Sequence, residues 1–523
     1  MPSLTYVVIP IVLRMKKQNK IWQVITASSL GTLIEWYDFY IFGSLATVIA
    51  GQFFPKTNPT AALLSTLATF AAGFIVRPFG ALVFGRLGDL VGRKYTFLLT
   101  LVLMGGSTFA IGLVPSYESI GFAAPIIVLT LRLLQGLALG GEYGGAATYV
   151  AEHAPAGRRG YYTSWIQTTA TLGLFVSLSV ILLTRHSLDA DPAVSIAKFN
   201  AWGWRIPFLL SIVLVVVSIY IRLKMQESPL FSKLKSEGAT SVNPLKESFG
   251  NKENLKMVLL ALFGATMGQG VVWYTGQFYA QSFIENVCKV DFDQSRTILI
   301  WAILFGTPLF VVFGSWSDRI GRKWIMLAGM LLAVITYNPL FKGLLALTDM
   351  STKTAVTSAA AIKVNSVSIP NSPNFVRTKQ LTTAYTDGTA VTTTTTDTLY
   401  ANSEQTTIKP VVKISKIVGD GVYWKMVLLV FAMIVYVTMV YGPIAAFLVE
   451  LFPTKIRYTS MSLPYHIGNG VFGGLTPFIA TLLTTMYTAD ALAGLQYPIA
   501  VAAVSVVIGT LYLDEKINTK HDS

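Results

Sequence analysis

Apolar runs of membrane-spanning length occupy most of this chain of 523 residues. A helix crosses the hydrocarbon core of a bilayer with about 20 apolar residues, and runs of that kind predict twelve spans. Their predicted limits are 22–49, 60–85, 95–114, 122–149, 162–184, 204–224, 257–283, 295–316, 324–345, 424–449, 459–484 and 496–513. Since a backbone in lipid must satisfy its hydrogen bonds internally, the runs predict an all-α membrane protein.

The composition supports that class and excludes others. Hydrophobic residues make up 53% of the chain and charged residues 13%, with a formal net charge of +14. The mean hydropathy is +0.57, so the basic loops are expected beside a lipid surface, and nucleic acid is not an expected partner. The single cysteine, Cys288, excludes an intrachain disulfide and a cysteine-rich metal site. No motif predicts a metal or a cofactor.

Basic clusters follow the even-numbered spans and predict the orientation. They are Arg86, Arg93 and Lys94; Arg158 and Arg159; Lys224, Lys233 and Lys235; Arg319, Arg322 and Lys323; and Lys455 with Arg457. Both termini are therefore expected in the cytoplasm of a multi-pass cell-membrane protein. Residues 1–21 form a cytoplasmic segment in this interpretation, and Met15, followed by Lys16 and Lys17, is its predicted translation start.

Two pairs of similar segments indicate that the chain consists of two related halves. Residues 84–94 resemble residues 313–323, and residues 152–164 resemble residues 450–462. The first pair is offset by 229 residues and the second by 298, which requires about 69 extra residues between the second copies. The predicted domains are a six-helix half at 22–224, a cytoplasmic linker at 225–256, helices 7–9 at 257–345, an external insertion at 346–420, helices 10–12 at 421–513 and a cytoplasmic tail at 514–523.

The Thr-rich insertion is too polar to cross a bilayer, and it follows span 9, so it is expected outside the cell. Apolar and polar residues alternate in residues 360–370 and 409–418, which is the period of β-strands. The pattern predicts a small β-rich domain between helices 9 and 10. Two roles remain open for this domain. It either binds a ligand or is an insertion without a function of its own, which long exposed loops tolerate.

Several motifs resemble those of the major facilitator superfamily. They are the paired Gly-x-x-x-Asp-x-x-Gly-Arg-Lys loops and Arg132-Leu-Leu-Gln-Gly, together with the twelve predicted spans in two halves. Within that superfamily, four segments resemble the metabolite:proton symporter family, which includes carriers of α-ketoglutarate, citrate, shikimate, proline and betaine. They are Ile34-Glu-Trp-Tyr-Asp-Phe-Tyr, Val76-Arg-Pro-Phe-Gly-Ala, Gln135-Gly-Leu-Ala-Leu-Gly-Gly-Glu-Tyr-Gly-Gly-Ala and Glu450-Leu-Phe-Pro-Thr-Lys-Ile-Arg. The resemblance implies twelve helices in two six-helix halves and a transporter, not an enzyme.

Charged side chains inside the predicted spans are the candidates for proton coupling. Each costs free energy in lipid, so its presence there indicates a functional role. Asp38 and Arg132 each lie about ten residues from the outer end of a span, or ~15 Å, near the middle of the bilayer. Depth permits two pairs, Asp38 with Arg132 and Arg77 with Glu142. The proposed proton carriers are Glu35, Asp38 and Glu142, and the anion anchor is Arg132, with Arg77 second. The competing interpretation is a permanent charge network that only orients helices.

Other polar and aromatic side chains are expected to line the substrate cavity. Those with a suitable position are Tyr37, Gln135, Gln269, Trp273, Tyr274 and Gln277. Packing is the competing interpretation for the aromatic rings. His466 and Asn469 share a face of span 11, and a buried neutral histidine is expected there.

The repeated loops are expected to form a gate at the cytoplasmic side, with topology and turn geometry as their alternative role. The predicted gate residues are Gly85, Asp89, Gly92, Arg93, Lys94, Glu152, Arg159, Asp318, Gly321, Arg322, Lys323, Glu450 and Arg457.

The expected function is proton-coupled symport of a small organic anion or zwitterion by a monomer in the lipid bilayer. A uniporter, a proton-driven efflux antiporter and a transporter-like sensor are the alternatives. Efflux of lipophilic cations would favour an acidic cavity, whereas Arg77 and Arg132 favour an anion or a zwitterion.

Overall fold

The computed structural model describes residues 22, 25, 29, 32–33, 36–55, 58–90, 93–141, 143–155, 157–224, 244–356, 361–368, 375–399, 410–452 and 456–514. Side chains at 85–90, 93–98, 152 and 153, among others, lie outside the description. The predicted site residues Glu35, Gly92 and Glu142 also lie outside the described residues.

Helices dominate the fold. Residues 36–44 are helical. The further helices of the N-terminal part are α1 (Ala46–Phe53), α2 (Pro59–Ile75), α3 (Arg77–Leu90), α4 (Arg93–Leu113), α5 (Tyr117–Ile120), α6 (Ala123–Gly140), α7 (Tyr143–His153), α8 (Arg159–Ser187), α9 (Pro192–Lys198) and α10 (Arg205–Lys224). We refer to these as the N-terminal half.

The remaining helices form the C-terminal half. They are α11 (Pro244–Gly250), α12 (Lys252–Ala261), α13 (Met267–Tyr274), α14 (Ala280–Asn286), α15 (Phe292–Ile320), α16 (Arg322–Thr348), α17 (Asp420–Tyr441), α18 (Ile444–Leu451), α19 (Arg457–Tyr465), α20 (Thr476–Met486) and α21 (Gln496–Tyr512). Wider π-helical turns at Phe199–Gly203, Leu262–Thr266, Thr275–Tyr279 and His466–Gly473 join some of them.

Within the described residues, nine helical segments are long and apolar enough to cross a membrane. A tenth is the pair Pro192–Gly203 and Arg205–Val217, which is bent by 64°, and Leu99–Leu113 is a shorter apolar helix. Each predicted span from the second to the twelfth coincides with helix, while the first lies partly in residues that are not described. The chain is therefore a multi-pass membrane protein, and the count of twelve stays a prediction.

A small antiparallel sheet lies between α16 and α17, inside the predicted insertion. Its strands are β1 (Ala361–Ser368), β2 (Phe375–Ala384), β3 (Ala390–Leu399) and β4 (Val411–Ile417), in the order β1-β2-β3-β4. Cross-strand partners include Ile362 with Leu381, and Thr393 with Ile414. The alternating pattern of the sequence thus predicted the strands at both ends of the sheet.

Strand β4 attaches the sheet to the helical bundle. The backbone N–H of Lys416 donates to the Lys289 carbonyl at 2.8 Å, and the Asp291 N–H donates to the Lys416 carbonyl at 2.8 Å. The Gln294 side chain forms two hydrogen bonds with the backbone of Val418, at 2.9 and 2.7 Å. Partial burial lowers the pKa of the Lys416 ammonium group, which donates to the Thr348 carbonyl at 2.6 Å.

Helices α8 and α15 run antiparallel and join the two halves along their length. Near one end, a Cβ atom at Gly160 would lie 2.4 Å from the Gly314 carbonyl oxygen, so glycine is needed for this approach. Near the other end, Arg185 of α8 meets Asp293 of α15. We call these the latch end and the sheet end of the bundle.

Candidate functional site

Asp38 is a fully buried carboxylate in the helical segment 36–44. Neither of its oxygens has a hydrogen-bond partner among the described residues. Its surroundings belong to the N-terminal half, since a Cβ atom at Gly105 of α4 would lie 3.5 Å from Asp38 Oδ2 and 1.9 Å from Val215 Cγ2 of α10. Asp38 therefore points between α4 and α10, not toward the C-terminal half.

Arg132 is also fully buried, but its hydrogen bonds are made within the N-terminal half. It donates to the Gln135 side chain and, at 3.3 Å, to the Phe70 carbonyl. Gln135 in turn donates to Thr108 Oγ1 at 2.6 Å. The pairing of Asp38 with Arg132 that depth permitted is not formed, because Gln135 and Phe70 hold the guanidinium instead.

Arg77 lies at the interface between the halves. Its guanidinium carbon is 4.1 Å from the ring centre of Phe74, and two of its nitrogens, Nε and Nη2, have no partner among the described residues. From the C-terminal half, Tyr274 contacts the Phe74 ring at 5.1 Å between centres, and a Cβ atom at Gly470 would lie 3.7 Å from Arg77 Cδ. Arg77 is thus a buried cation with free donors at the interface.

Close packing of α6 against α2 and α3 determines the position of Arg77 at the interface between the halves. A Cβ atom at Gly136 would lie 1.8 Å from the Gly73 carbonyl oxygen, and one at Gly140 would lie 2.1 Å from the Arg77 carbonyl oxygen. The glycines let α6 press against α2 and the start of α3.

Aromatic rings from both halves meet in the middle of the bundle. Trp273 lies 5.7 Å from Trp36 and 5.8 Å from Tyr40 between ring centres, and Phe278 lies 5.3 Å from Phe70. These distances are typical of ring contacts. Tyr37, by contrast, donates to the Pro207 carbonyl at 3.1 Å and stays inside the N-terminal half.

Gln269 of α13 and Gln277 of the following π-helical turn are fully buried. The side-chain oxygen and nitrogen of both have no hydrogen-bond partner in the described part of the chain. Buried amide side chains nearly always form hydrogen bonds with protein or water. Amides without such bonds in a core therefore indicate a binding site for a polar ligand. Trp273 and Tyr274 lie between them on the same segment.

The latch end holds a charged cluster that joins the halves. Asp318 of α15 accepts hydrogen bonds from the Gly160 and Tyr161 backbone N–H groups at the start of α8, both at 2.8 Å. Arg322 donates to Asp318 at 2.9 Å and to both oxygens of Glu450, at 2.5 and 2.6 Å. A carboxylate at a helix N-terminus is stabilised by the free N–H groups and the helix dipole. Asp318 thus caps a helix of the opposite half.

Other predicted gate residues have structural contacts near this cluster. Gly321 has a φ of 96°, which favours glycine and permits the reversal between α15 and α16. Lys323 donates to the Leu513 carbonyl at 2.5 Å, and Arg457 donates to the Phe452 carbonyl at 3.0 Å. Arg159 is the first residue of α8. For Gly85, Asp89, Arg93, Lys94 and Glu152 the structure describes helical backbone but no side-chain contacts.

The sheet end has ionic contacts between the halves that the sequence interpretation missed. Asp293 of α15 pairs with Arg185 at 2.8 Å and lies 3.1 Å from His186, both at the end of α8. Arg296 pairs with Glu285 at 3.0 Å and donates to the Ser44 carbonyl at 2.6 Å. A turn at residue 45, where α1 begins, interrupts the first helix beside this carbonyl. Arg185 directly follows predicted span 5 and Asp293 closely precedes predicted span 8. These positions were the sequence signal from which the contact could have been inferred.

The halves are therefore joined at the latch end, in the aromatic middle and at the sheet end. The described residues contain no group of histidine, cysteine and acidic side chains that could hold a metal ion. In the described residues, helices long enough to cross a membrane surround buried polar groups without partners, which is the arrangement expected of a membrane transporter.

The chain belongs to the major facilitator superfamily. A family model described as "Sugar (and other) transporter" matches residues 24–243. The inner membrane metabolite transport protein YhjE of Escherichia coli K12 is 31% identical over 480 residues, covering 89% of this chain and 88% of that protein. The alpha-ketoglutarate permease of the same strain is 36% identical over 327 residues, 62% of this chain and 72% of the permease.

Two further comparisons concern a carrier of zwitterions and the fold. The proline/betaine transporter of Escherichia coli K12 is 35% identical over 336 residues, 62% of this chain and 65% of that transporter. The proton:xylose symporter XylE, solved with a bromo-deoxyglucose, superposes with a TM-score of 0.64 at 17% identity and covers 96% of this chain and 97% of XylE. This structural similarity shows the fold.

Proposed function

We propose that this transporter carries a small organic anion or zwitterion together with protons. The observation that carries the proposal is Arg77, a buried guanidinium at the interface between the halves, two of whose nitrogens have no partner among the residues that the structure describes. A carboxylate is the natural ligand for such a group. The named substrates of two relatives, alpha-ketoglutarate and proline or betaine, all contain a carboxylate. Gln269 and Gln277 supply unpaired amides for the rest of the molecule.

We assign the orientation and domain bounds as the sequence predicted them. The latch end carries the basic loops and faces the cytoplasm, together with both termini, and the sheet lies outside the cell. Twelve spans in two halves at 22–224 and 257–513 complete the fold, and the protein acts as a monomer in a lipid bilayer.

Arg77 is the proposed anchor for the carboxylate, and Arg132 supports it. This reverses the order expected from the sequence. Among the described residues, Arg132 donates to Gln135 and Phe70 and only its Nε lacks a partner, whereas Arg77 has two nitrogens without one beside the C-terminal half. A binding group at the interface can contact substrate from both halves, so substrate can stabilise the closed state.

Asp38 is the proposed proton carrier. An isolated carboxylate in the bundle is costly unless it is paired or protonated, and Asp38 has no hydrogen-bond partner among the described residues in this arrangement, in which the halves are joined at both ends. Opening of the cavity to water would remove that cost, so the closed and open states bind the proton differently. That difference couples proton movement to the conformational cycle.

Transport then alternates between two open states. In each of them, the contacts between the halves are broken at one end of the bundle and kept at the other. Opening to the cytoplasm breaks the bonds of Asp318 to the start of α8. Opening to the outside breaks the Arg185–Asp293 pair and the bond from Arg296 to Ser44. Interfaces of this kind have two discrete arrangements, so one end can stay closed while the other opens.

The Asp318→Ala variant is expected to favour the state that opens at the latch end. Removing one helix cap costs about 0.5–2 kcal/mol, and here the lost bonds join the halves. In a Cys288→Ser background, Ser164→Cys, which is buried beside Gly314, should react with a thiol reagent about two- to thirtyfold faster when Asp318 is replaced. The matched control, Asp293→Ala at the opposite end, should slow that labelling. Equal rates in all three proteins would contradict the latch.

Deletion of residues 350–418 with a short Gly/Ser linker is expected to leave transport within about twofold of the full chain, because long exposed insertions are thermodynamically tolerated. The ends of the deletion are close, since Lys416 bonds to Thr348. Loss of the bonds from β4 to Lys289 and Gln294 should lower the melting temperature modestly. Loss of transport in a folded deletion protein would show that the sheet has a role in the cycle.

Uptake into proteoliposomes from a panel of carboxylates, betaines, amino acids and neutral sugars tests the substrate class. Carboxylates or zwitterions should be taken up, and neutral sugars should not. Transport of lipophilic cations would favour the efflux alternative, and ligand binding without flux would favour a sensor.

A further inference from the structure

A groove of about 430 Å³ opens on the outer surface of the C-terminal half near the latch end. It lies between α12, at the start of predicted span 7, and the end of α21. Its walls are apolar and include Leu255, Leu259, Phe263 and Ile508, and Tyr512 stands at its edge. Nothing in the transport cycle described above uses this surface.

The fold builds the groove by ending one helix early. A Cβ atom at Gly509 would lie 2.5 Å from the Gly264 carbonyl oxygen, so α21 and the π-helical turn Leu262–Thr266 touch backbone to backbone at that level. Helix α21 ends at Tyr512, one turn further on, whereas α12 continues for almost three turns to Lys252. No helix of the described residues therefore covers the apolar side chains of α12 there, and Leu259 is 44% exposed.

Two lysines stand at the end of the groove that faces away from the membrane interior. Lys252 and Lys256 are four residues apart on α12, so their side chains share one side of the helix. Both are exposed and line the groove, and neither makes an ion pair with a described residue. Glu253 is displaced by about 100° around the helix from Lys252 and lies three residues before Lys256, and it is not among the residues that line the groove.

We propose that this groove binds one anionic phospholipid from the cytoplasmic leaflet, with the headgroup phosphate on Lys252 and Lys256 and an acyl chain along Leu255, Leu259 and Phe263. The two positive charges and the apolar channel match the two ends of such a lipid, whereas a soluble anion would leave the channel empty. The leaflet follows from the proposed orientation. The groove itself does not depend on the proposed substrate, so either proposal can fail alone.

Native mass spectrometry of the purified full-length protein, titrated with dioleoylphosphatidylglycerol in detergent, tests the site. Dioleoylphosphatidylcholine serves as the reference lipid. The wild type should retain one phosphatidylglycerol more tightly than phosphatidylcholine. The double variant Lys252→Gln/Lys256→Gln should bind phosphatidylglycerol about thirtyfold more weakly, since each lysine near an anionic headgroup contributes about 1 kcal/mol. Inorganic phosphate at millimolar concentration should not displace the lipid, because it cannot replace the acyl chain.

The double variant Arg158→Gln/Arg319→Gln is the matched control, because it removes the same charge from exposed positions elsewhere at the latch end. It should bind phosphatidylglycerol like the wild type. A second variant, Leu259→Trp, narrows the channel while keeping both lysines and should also lose the tight lipid. The proposal is wrong if the lysine variant binds normally, or if the control loses the lipid equally. It is also wrong if phosphatidylglycerol binds only after residues 515–523 are removed, since the chain's own tail would then be the occupant.

Discussion

Proteoliposomes that contain the Asp38→Asn variant are expected to lose substrate accumulation driven by a proton gradient and to retain exchange of substrate. Asparagine fills nearly the same volume between α4 and α10 but cannot gain or lose a proton in this range. Because Asp38 has no hydrogen-bond partner in the described part of the closed state, the substitution removes no bond to those residues. Accumulation should therefore fall to the level of simple equilibration, while the closed state forms as before.

Asp420→Asn is the matched control for this change. Asp420 is an exposed carboxylate at the start of α17, so the same chemical substitution there should leave accumulation intact. Undiminished gradient-driven accumulation by Asp38→Asn would remove Asp38 from the coupling role. Loss of exchange as well as accumulation would instead indicate a structural role for the carboxylate.

Substitution of Arg77 is expected to have a large effect on substrate affinity. Replacing it by glutamine should weaken binding of a carboxylate substrate by at least about thirtyfold, because removing one partner of a buried charge pair costs about 2–5 kcal/mol. Arg77→Lys keeps the charge without the planar fork and should restore only part of the affinity. Equilibrium binding of labelled substrate to purified protein measures both.

Arg132→Gln is the comparison that distinguishes the two arginines. Its loss leaves Gln135 and the Phe70 carbonyl without their buried donor, so the melting temperature should fall while substrate affinity changes less than in Arg77→Gln. A larger loss of affinity in Arg132→Gln than in Arg77→Gln would restore the order expected from the sequence and contradict the assignment made here.

Most of the architecture could be predicted from the sequence because lipid imposes strong rules. Apolar length predicted the helices, and the unequal offsets of two repeats placed the insertion in which the sheet lies. The latch was partly predictable as well, since Asp318, Arg322 and Glu450 belong to the repeated segments that prompted the gate interpretation.

The partners of the buried charges could not be predicted, since they depend on how helices rotate and pack. Depth alone permitted Asp38 to meet Arg132, but the carboxylate lies beside Gly105 of α4, and the Gln135 side chain and the Phe70 carbonyl accept the hydrogen bonds of Arg132. Likewise, nothing local predicts that Arg296 reaches the Ser44 carbonyl, because that bond depends on the interruption of a helix in the other half. Sequence periodicity describes one helix at a time, whereas a site between halves depends on several.

Simultaneous measurement of substrate uptake and proton entry tests the central claim most directly. Proteoliposomes with an entrapped pH indicator would be given an inward proton gradient and a labelled carboxylate that the protein binds. We expect substrate to accumulate above its external concentration, with proton entry that begins when substrate is added and that Asp38→Asn abolishes. Uptake that only equilibrates, with no proton movement, would contradict proton-coupled symport.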